Sequence, residues 1–379
     1  MQNQIDSWHK VFNVREVASP ALLVYPDRIE ENIRRMIQIA GGTGRLRPHV
    51  KTHKLAEVIH MQMEQGIARF KCATIAEAEM AAGCGAKDVL LAYQPVGPNV
   101  ERLVRLARTF PNTKFSAIAD DAEALRQLST AASAAGVEIE VLLDIDCGMH
   151  RTGVAPGEKA VELYQLIGTL PALKAAGLHA YDGHIHEREL YARVKSCEAA
   201  FAPVDALRKE LGHPLATGPA SKPSIVNVIS GGTPTFPIHS RRNDVQCSPG
   251  TCILWDAGYA AKLPDMDFLP AALLLTRVVS KPGENRLCLD LGHKAVASEN
   301  PHPRVQLLDL PDAKAVMHSE EHLVVETARA DEFPVGAPLF GIPWHICPTV
   351  ALHSEAVVVR NGQAQEQWAI RARARKLTT

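Results

Sequence analysis

At 379 residues, 46% of them hydrophobic and 22% charged, the chain has the make-up of an ordinary globular protein and enough length for two cores. Its formal net charge of -1 argues against nucleic acid or an anionic membrane surface as the main partner. No apolar run approaches the ~20 residues of a membrane span. The stretch Met1-Gln2-Asn3-Gln4-Ile5-Asp6 lacks the basic start and apolar segment of a signal peptide, so cytoplasm is the expected compartment. The cysteines are scattered without a C-x-x-C pair, as expected of reduced and mostly buried thiols.

In chain order, Pro20–Tyr25 reads as a buried strand, followed by an amphipathic helix over 26–40. A second strand runs from Leu46 to Lys51 and a second helix from Leu55 to Gln65. The unit recurs: strand Phe70–Ile75 with helix Ala76–Gly83, strand Asp88–Tyr93 with helix Val100–Phe110, and strand Lys114–Ala119 with helix Asp121–Ala135. Asp120 or Asp121 is placed to cap that last helix. Ile139–Asp146 precedes a helix over 158–168, Leu173–Tyr181 precedes a helix over 187–211, and Ser224–Ser230 is a last apolar run ending in Gly231-Gly232. Eight such units predict a parallel (β/α)8 barrel rather than a doubly wound sheet, and the first turn, Tyr25-Pro26-Asp27-Arg28, has no glycine fingerprint.

From about Pro264 the rhythm changes to short strands: Leu273–Ser280, Arg286–Asp290, Val305–Leu308, His322–Val325 and Glu355–Val359. The expected division is a barrel over 18–260, with 1–17 and 261–379 forming a mainly-β domain.

Active sites of parallel barrels gather at the C-terminal strand ends. Lys51 ends the second predicted strand, within Arg47-Pro48-His49-Val50-Lys51-Thr52-His53-Lys54. Alone, this stretch would more often be a basic surface turn. A lysine amine becomes a nucleophile when neighbouring cations and burial lower its pKa, and Arg47, Lys54 and any protonated histidine are the neighbours the sequence offers. Cys147-Gly148-Met149-His150-Arg151 follows the sixth strand, Tyr181-Asp182-Gly183-His184-Ile185-His186 the seventh, and Ser230-Gly231-Gly232-Thr233-Pro234 the eighth. That last turn offers backbone N–H groups and two hydroxyls to a dianion, and Ser248-Pro249-Gly250-Thr251 would close the far side of a phosphate cup. A lysine and a phosphate nest on one barrel face suggest pyridoxal 5'-phosphate.

In the second domain, His345 and Cys347 lie two apart. On an extended strand they would aim at one point, an imidazole–thiolate pair suited to zinc, though two core residues of a half-buried strand explain the spacing as well.

Over nearly its whole length the sequence resembles the D-threonine aldolase family, which is related to eukaryotic-type D-serine dehydratase and has an alanine racemase-like barrel. The resemblance rests on RPHVKTHK at 47–54, KCATIAEAE at 71–79, Gly148–Gly153, HAYDGHIH at 179–186, SGGTP at 230–234, SEEH at 319–322 and HICPT at 345–349. It implies that Lys51 is the Schiff-base lysine and that Arg151 faces the pyridine nitrogen. His49, Tyr181, Ser230, Gly231, Gly232, Thr233, Gly250 and Thr251 would lie around the cofactor. His345 and Cys347 would hold a divalent metal, zinc or manganese, beside the substrate's β-hydroxyl, with His184 or His186 as the base.

The expected activity is a lyase acting on a small D-β-hydroxy-α-amino acid, foremost D-threonine, giving glycine and acetaldehyde. The alternative is β-elimination by a D-serine or D-3-hydroxyaspartate dehydratase. A racemase needs no metal, and a cofactor carrier has no use for a substrate-side metal. A homodimer is expected.

Overall fold

The computed structural model describes residues 8–212 and 226–379. β1 (Ala21–Val24) and α1 (Pro26–Ala40) come first, then α2 (Ala56–Glu64), β2 (Arg69–Cys72), α3 (Ile75–Gly83), β3 (Asp88–Leu91), α4 (Pro98–Thr109), β4 (Lys114–Ala119) and α5 (Ala122–Ala135). Next are β5 (Ile139–Ile145), α6 (Glu158–Thr169), β6 (Leu173–Ala180), α7 (Leu190–Gly212), β7 (Val228–Ser230), α8 (Phe236–His239), β8 (Val245–Cys247) and α9 (Ala257–Lys262). The remainder is mostly strand: β9 (Ala272–Gly283), β10 (Arg286–Leu289), β11 (Val305–Leu307), β12 (Lys314–His318), β13 (Leu323–Glu326) and β14 (Pro338–Pro343), then α10 (Ile346–Leu352), β15 (Glu355–Arg360) and β16 (Gln363–Ala369). Local chemistry sets several boundaries. Asp121 caps α5 by accepting from the Ala124 N–H, Thr74 caps α3 through the Glu77 N–H, and Gly136 ends α5 in the left-handed conformation. None of the described helices is long and apolar enough to cross a membrane.

Contacts divide the chain into two compact units. One comprises the chain to Arg35, Thr52–Val58 and Thr251–Arg373; the other comprises Met36–Lys51, Ile59–Gly250 and Ala374–Thr379.

The second unit is a parallel barrel. β2 to β8 pair in chain order, all parallel. The segment from Leu46 closes the ring, bridging to Cys247 on one side and, through His49, to Lys71 on the other. Arg47 and His49 give their N–H groups to Cys247 and Pro249 (both 2.9 Å), while Val50 N–H and Pro48 C=O bond Lys71 (both 2.9 Å). Pro48 has no N–H to give, so pairing toward β2 is interrupted and the closing strand is short. Leu90, Ile118, Leu142 and Ile229 cluster in one buried core.

The barrel sheet thus has seven strands, joined by a bridged segment at 46–49, and they are not the eight strands read from sequence. Pro20–Tyr25 is not a barrel strand: β1 lies in the other unit, antiparallel to β9 and parallel to β15. Leu22, Leu23 and Val24 are buried, and a short apolar run looks the same in either sheet. The missing barrel strand is β8, three residues long and too brief to leave a period. Ser224 and its neighbour at 225 lie outside the described residues.

The first unit is built on a nine-stranded mixed sheet, in the order β12-β13-β10-β9-β1-β15-β16, with β14 pairing β9 and β11 pairing β14. Leu23, Tyr25, Leu273, Leu275, Phe340 and Ile342 contribute to its core. The His345–Cys347 stretch is not an extended strand. β14 ends at Pro343, His345 is the N-cap of α10, and Cys347 lies in the first turn of that helix.

Candidate active site

Lys51 follows the closing strand and lines a cavity of about 510 Å³ with His49, Lys71, Asp144, Arg151 and Tyr181, at the C-terminal strand ends where sequence placed the site. Three cations surround the Tyr181 ring. Lys51 Nζ stands 5.8 Å, Lys71 Nζ 5.5 Å and the Arg151 guanidinium 4.9 Å from its centroid. Two glycines permit this. A Cβ on Gly183 would come within 2.3 Å of the Tyr181 ring. Gly153, at φ +99°, brings the loop that carries Arg151 so near β5 that a Cβ would meet the Asp146 nitrogen at 2.5 Å.

The cations beside Lys51 are not those the sequence offered. Arg47 is buried and bonded bidentately to Asp88 (2.6 and 2.9 Å), and His53 is held neutral, pushed by burial down to about 3. Lys71, which sequence reasoning missed, is the neighbour. It is only 4% exposed, and burial, then the charge of Lys51, lower its amine to about 7. Its signal was present: a lysine between Phe70 and Cys72, both buried, in a strand of a parallel sheet.

Below the cavity, His179 Nδ1 meets Asp144 Oδ1 at 2.6 Å. Burial pulls the imidazole down, so it is neutral and donates; burial is the largest influence on Asp144 and opposes its charge, but the bonds from His179 and Thr152 and the nearby charges together hold the carboxyl low. His179 Nε2 is buried without a partner.

The two loops of the expected phosphate cup are joined. Ser248 N–H bonds the carbonyls of Ser230 (3.2 Å) and Gly231 (3.1 Å), and Gly250 N–H donates to Thr233 Oγ1 (3.3 Å). Ser230 Oγ is turned away, donating to the Ala180 carbonyl (2.8 Å), and Gly232 N–H points at Asp182 (3.4 Å). Ser248 Oγ is buried with no partner, an orphan donor beside a glycine turn. It opens the Ser248–Thr251 segment that the sequence placed on the far side of the cup. The fit for pyridoxal phosphate is therefore chemical: an amine for its aldehyde, an orphan hydroxyl for its phosphate, and Arg151 and Lys71 for its ring.

Asp182 anchors this cup from behind, accepting from Thr235 Oγ1 (2.9 Å) and pairing with His239 Nε2 (2.8 Å). With Cys197 these form a group of three buried donor residues whose ligating atoms lie within 4.8 Å of one another. Burial opposes the charge of Asp182, but the bonds from His239 and Thr235 keep it low; burial, then Asp182, raises Cys197 to about 12. The network explains the close approach by hydrogen bonds alone.

Neither candidate base lines the Lys51 cavity. His184 packs against Gly148 with its Nδ1 unpartnered, and exposed His186 bonds the His184 carbonyl through Nδ1 (2.8 Å).

In the other unit, Cys347 Sγ lies 3.2 Å from Thr52 Oγ1 and 3.5 Å from Thr251 Oγ1. Burial would lower His345, but hydrogen bonds to the Cys347 sulfur and Glu299, with the Cys347 and Asp256 charges, hold it up at about 9. Imidazole, thiol and carboxylate are donor types that suit a divalent ion, and Glu299 is a neighbour of His345 that sequence spacing did not show.

Residues 24–222 match the alanine racemase N-terminal domain and 271–359 the putative serine dehydratase domain. The chain is 31% identical over 376 residues to a 3-hydroxy-D-aspartate aldolase of Paracoccus denitrificans (strain Pd 1222), covering 94% of this chain and 92% of that protein. It is 31% identical over 367 residues to a D-threonine aldolase of an Arthrobacter species, covering 94% and 93%. The crystal structure of D-threonine aldolase from Filomicrobium marinum matches with a TM-score of 0.84 at 30% identity, over 94% of this chain and 95% of that one. D-threo-3-hydroxyaspartate dehydratase from Delftia sp. HT23 shares the fold at 23% identity, with a TM-score of 0.76 over 93% and 97%. The chain belongs to the alanine racemase-like family that includes the D-threonine and 3-hydroxy-D-aspartate aldolases. It is an aldolase-like lyase.

Proposed function

We propose that the protein is a pyridoxal phosphate- and divalent-metal-dependent aldolase that cleaves D-β-hydroxy-α-amino acids between Cα and Cβ, with D-threonine as its foremost substrate. The observation that carries the reading is the cavity in which Lys51, Lys71 and Arg151 ring Tyr181 at the barrel's C-terminal strand ends. Pyridoxal phosphate, when bound, supplies an aldehyde for a lysine and a ring that takes up the electron pair released at Cα.

Lys51 is the amine that would hold that aldehyde and would be released when a substrate amine binds in its place. Arg151 would face the ring and discourage protonation of its nitrogen. Tyr181 is the aromatic platform, held by Gly183. Ser230, Gly231, Gly232, Thr233, Gly250 and Thr251, together with the orphan Ser248 hydroxyl, belong to the two loops that would receive the phosphate. His345 and Cys347, with Glu299 adjoining, would hold the ion, which lowers the pKa of a bound hydroxyl. His184 or His186 would take the hydroxyl proton, although the lining of the Lys51 cavity includes neither.

The closest rival is β-elimination, which uses the same parts. Incubating the cofactor-loaded protein with D-threonine, 3-hydroxy-D-aspartate and D-serine separates the two. Glycine plus an aldehyde supports the aldolase; a 2-oxo acid with ammonia and no glycine refutes it.

A further inference from the structure

We propose that Lys71 is a cofactor-facing residue, an ammonium on the floor of the cavity that keeps the covalent linkage at Lys51 in its unprotonated form. This rests on the reading that the cavity takes pyridoxal phosphate. Lys71 is in register with His49, two residues before Lys51, so it stands one layer deeper in the barrel than the amine that holds the cofactor. Its neighbours Phe70 and Cys72 are fully buried, while its own side chain lines the cavity.

The Lys71 amine faces the Tyr181 ring at 5.5 Å and feels the charges of Asp144 and Asp182 without bonding either. Among the described residues, the Lys71 amine has no hydrogen bond and no ion pair. Burying an ammonium without a partner is costly, and a methionine of the same length would pack there without that cost. The groups that face it are Lys51 and His49 on the closing strand, Asp144 on β5, Arg151 beyond it, and His179, Tyr181 and Asp182 on and after β6. Asp144 is engaged by His179, and Asp182 by His239 and Thr235. Asp144 and Asp182 are the carboxylates nearest the Lys71 amine, yet each is bonded elsewhere and neither bonds it, so the amine is left to take a ligand anion at the cavity floor.

The anionic ring oxygen of the cofactor is the partner this floor suits, because Lys71 lies one register step deeper than the amine that would hold the cofactor and offers a bond that no protein group among the described residues takes. An anion brought to Lys71 raises its proton affinity, so the amine is charged in the loaded protein. A positive charge there disfavours a second one on the Lys51 linkage. The linkage then stays unprotonated and the ring's electron withdrawal is moderated.

The test is a pH titration of the visible absorbance of the loaded protein, comparing native chain, Lys71→Met, Lys71→Gln and Lys71→Arg. In Lys71→Met and Lys71→Gln the midpoint should move upward by about one pH unit or more, and Lys71→Arg should restore it toward the native value. Midpoints that coincide in all folded, loaded variants would overturn the role of Lys71 while leaving the cofactor reading intact. A native protein that takes up no pyridoxal phosphate would overturn both.

Discussion

A lysine inside a barrel strand changes what pH does to stability. The folded Lys71 amine lies near 7, against about 10.4 for an unfolded lysine. Between those values the unfolded chain binds the extra proton, so the penalty is full below about 7 and vanishes as pH rises past the unfolded value. Apoprotein carrying Lys71→Met should therefore be more stable than the native apoprotein at pH 7, by on the order of 2–4 kcal/mol, with the gap closing toward pH 10. Urea titrations at several pH values measure this, and a variant less stable at pH 7 would contradict it. Lys51→Ala should abolish the visible absorbance; a band of native intensity would remove Lys51 from its role. For the ion, a chelator or Cys347→Ala should leave that band intact while turnover falls by orders of magnitude, as loss of a Lewis acid implies. Release of the cofactor on chelation would instead make the ion structural. At this scale the sequence was readable where a residue type is unusual at a strand end, as with Lys51, Arg151 and Tyr181. Lys71 and Glu299 were not singled out, because a side chain's neighbours across a barrel or sheet are far away in the chain.

Among the elements, helices were read closely because amphipathic periods and caps are local, as in α1 and α5. Strand membership was not local. β1 and the barrel strands are all short apolar runs, and only pairing distinguishes them. HICPT shows the converse: an i, i+2 spacing read as extended lies at the start of α10, where a helical turn brings His345 to Cys347. The turn from β2 into α3 carries Lys71 at one end and a cap at the other. Thr74 Oγ1 accepts the Glu77 N–H (3.2 Å), and the Glu77 carboxylate accepts the Ala73 N–H (2.7 Å). Thr74→Ala should destabilise the protein by about 1 kcal/mol, measured by chemical denaturation, and an unchanged midpoint would deny the cap its role. Gly153→Ala should do more, since its Cβ meets backbone at 2.5 Å and would push Arg151 from Tyr181. Cofactor affinity equal to native in that variant would show that the loop is not what positions the guanidinium.

For the whole molecule, the mixed sheet leaves β12 at one end, with Val316 and Met317 exposed there. An unpaired apolar edge is an association surface. A homodimer at micromolar concentration is the expected state in sedimentation, and a fully active monomer would contradict it. The central claim is cleavage of the Cα–Cβ bond of a D-β-hydroxy amino acid, and carbon balance tests it most directly. In a proton NMR time course with D-threonine, pyridoxal phosphate and a divalent ion, each D-threonine consumed should yield one glycine and one acetaldehyde, and L-threonine should persist. Formation of 2-oxobutanoate in place of glycine, or equal consumption of both enantiomers, would contradict it.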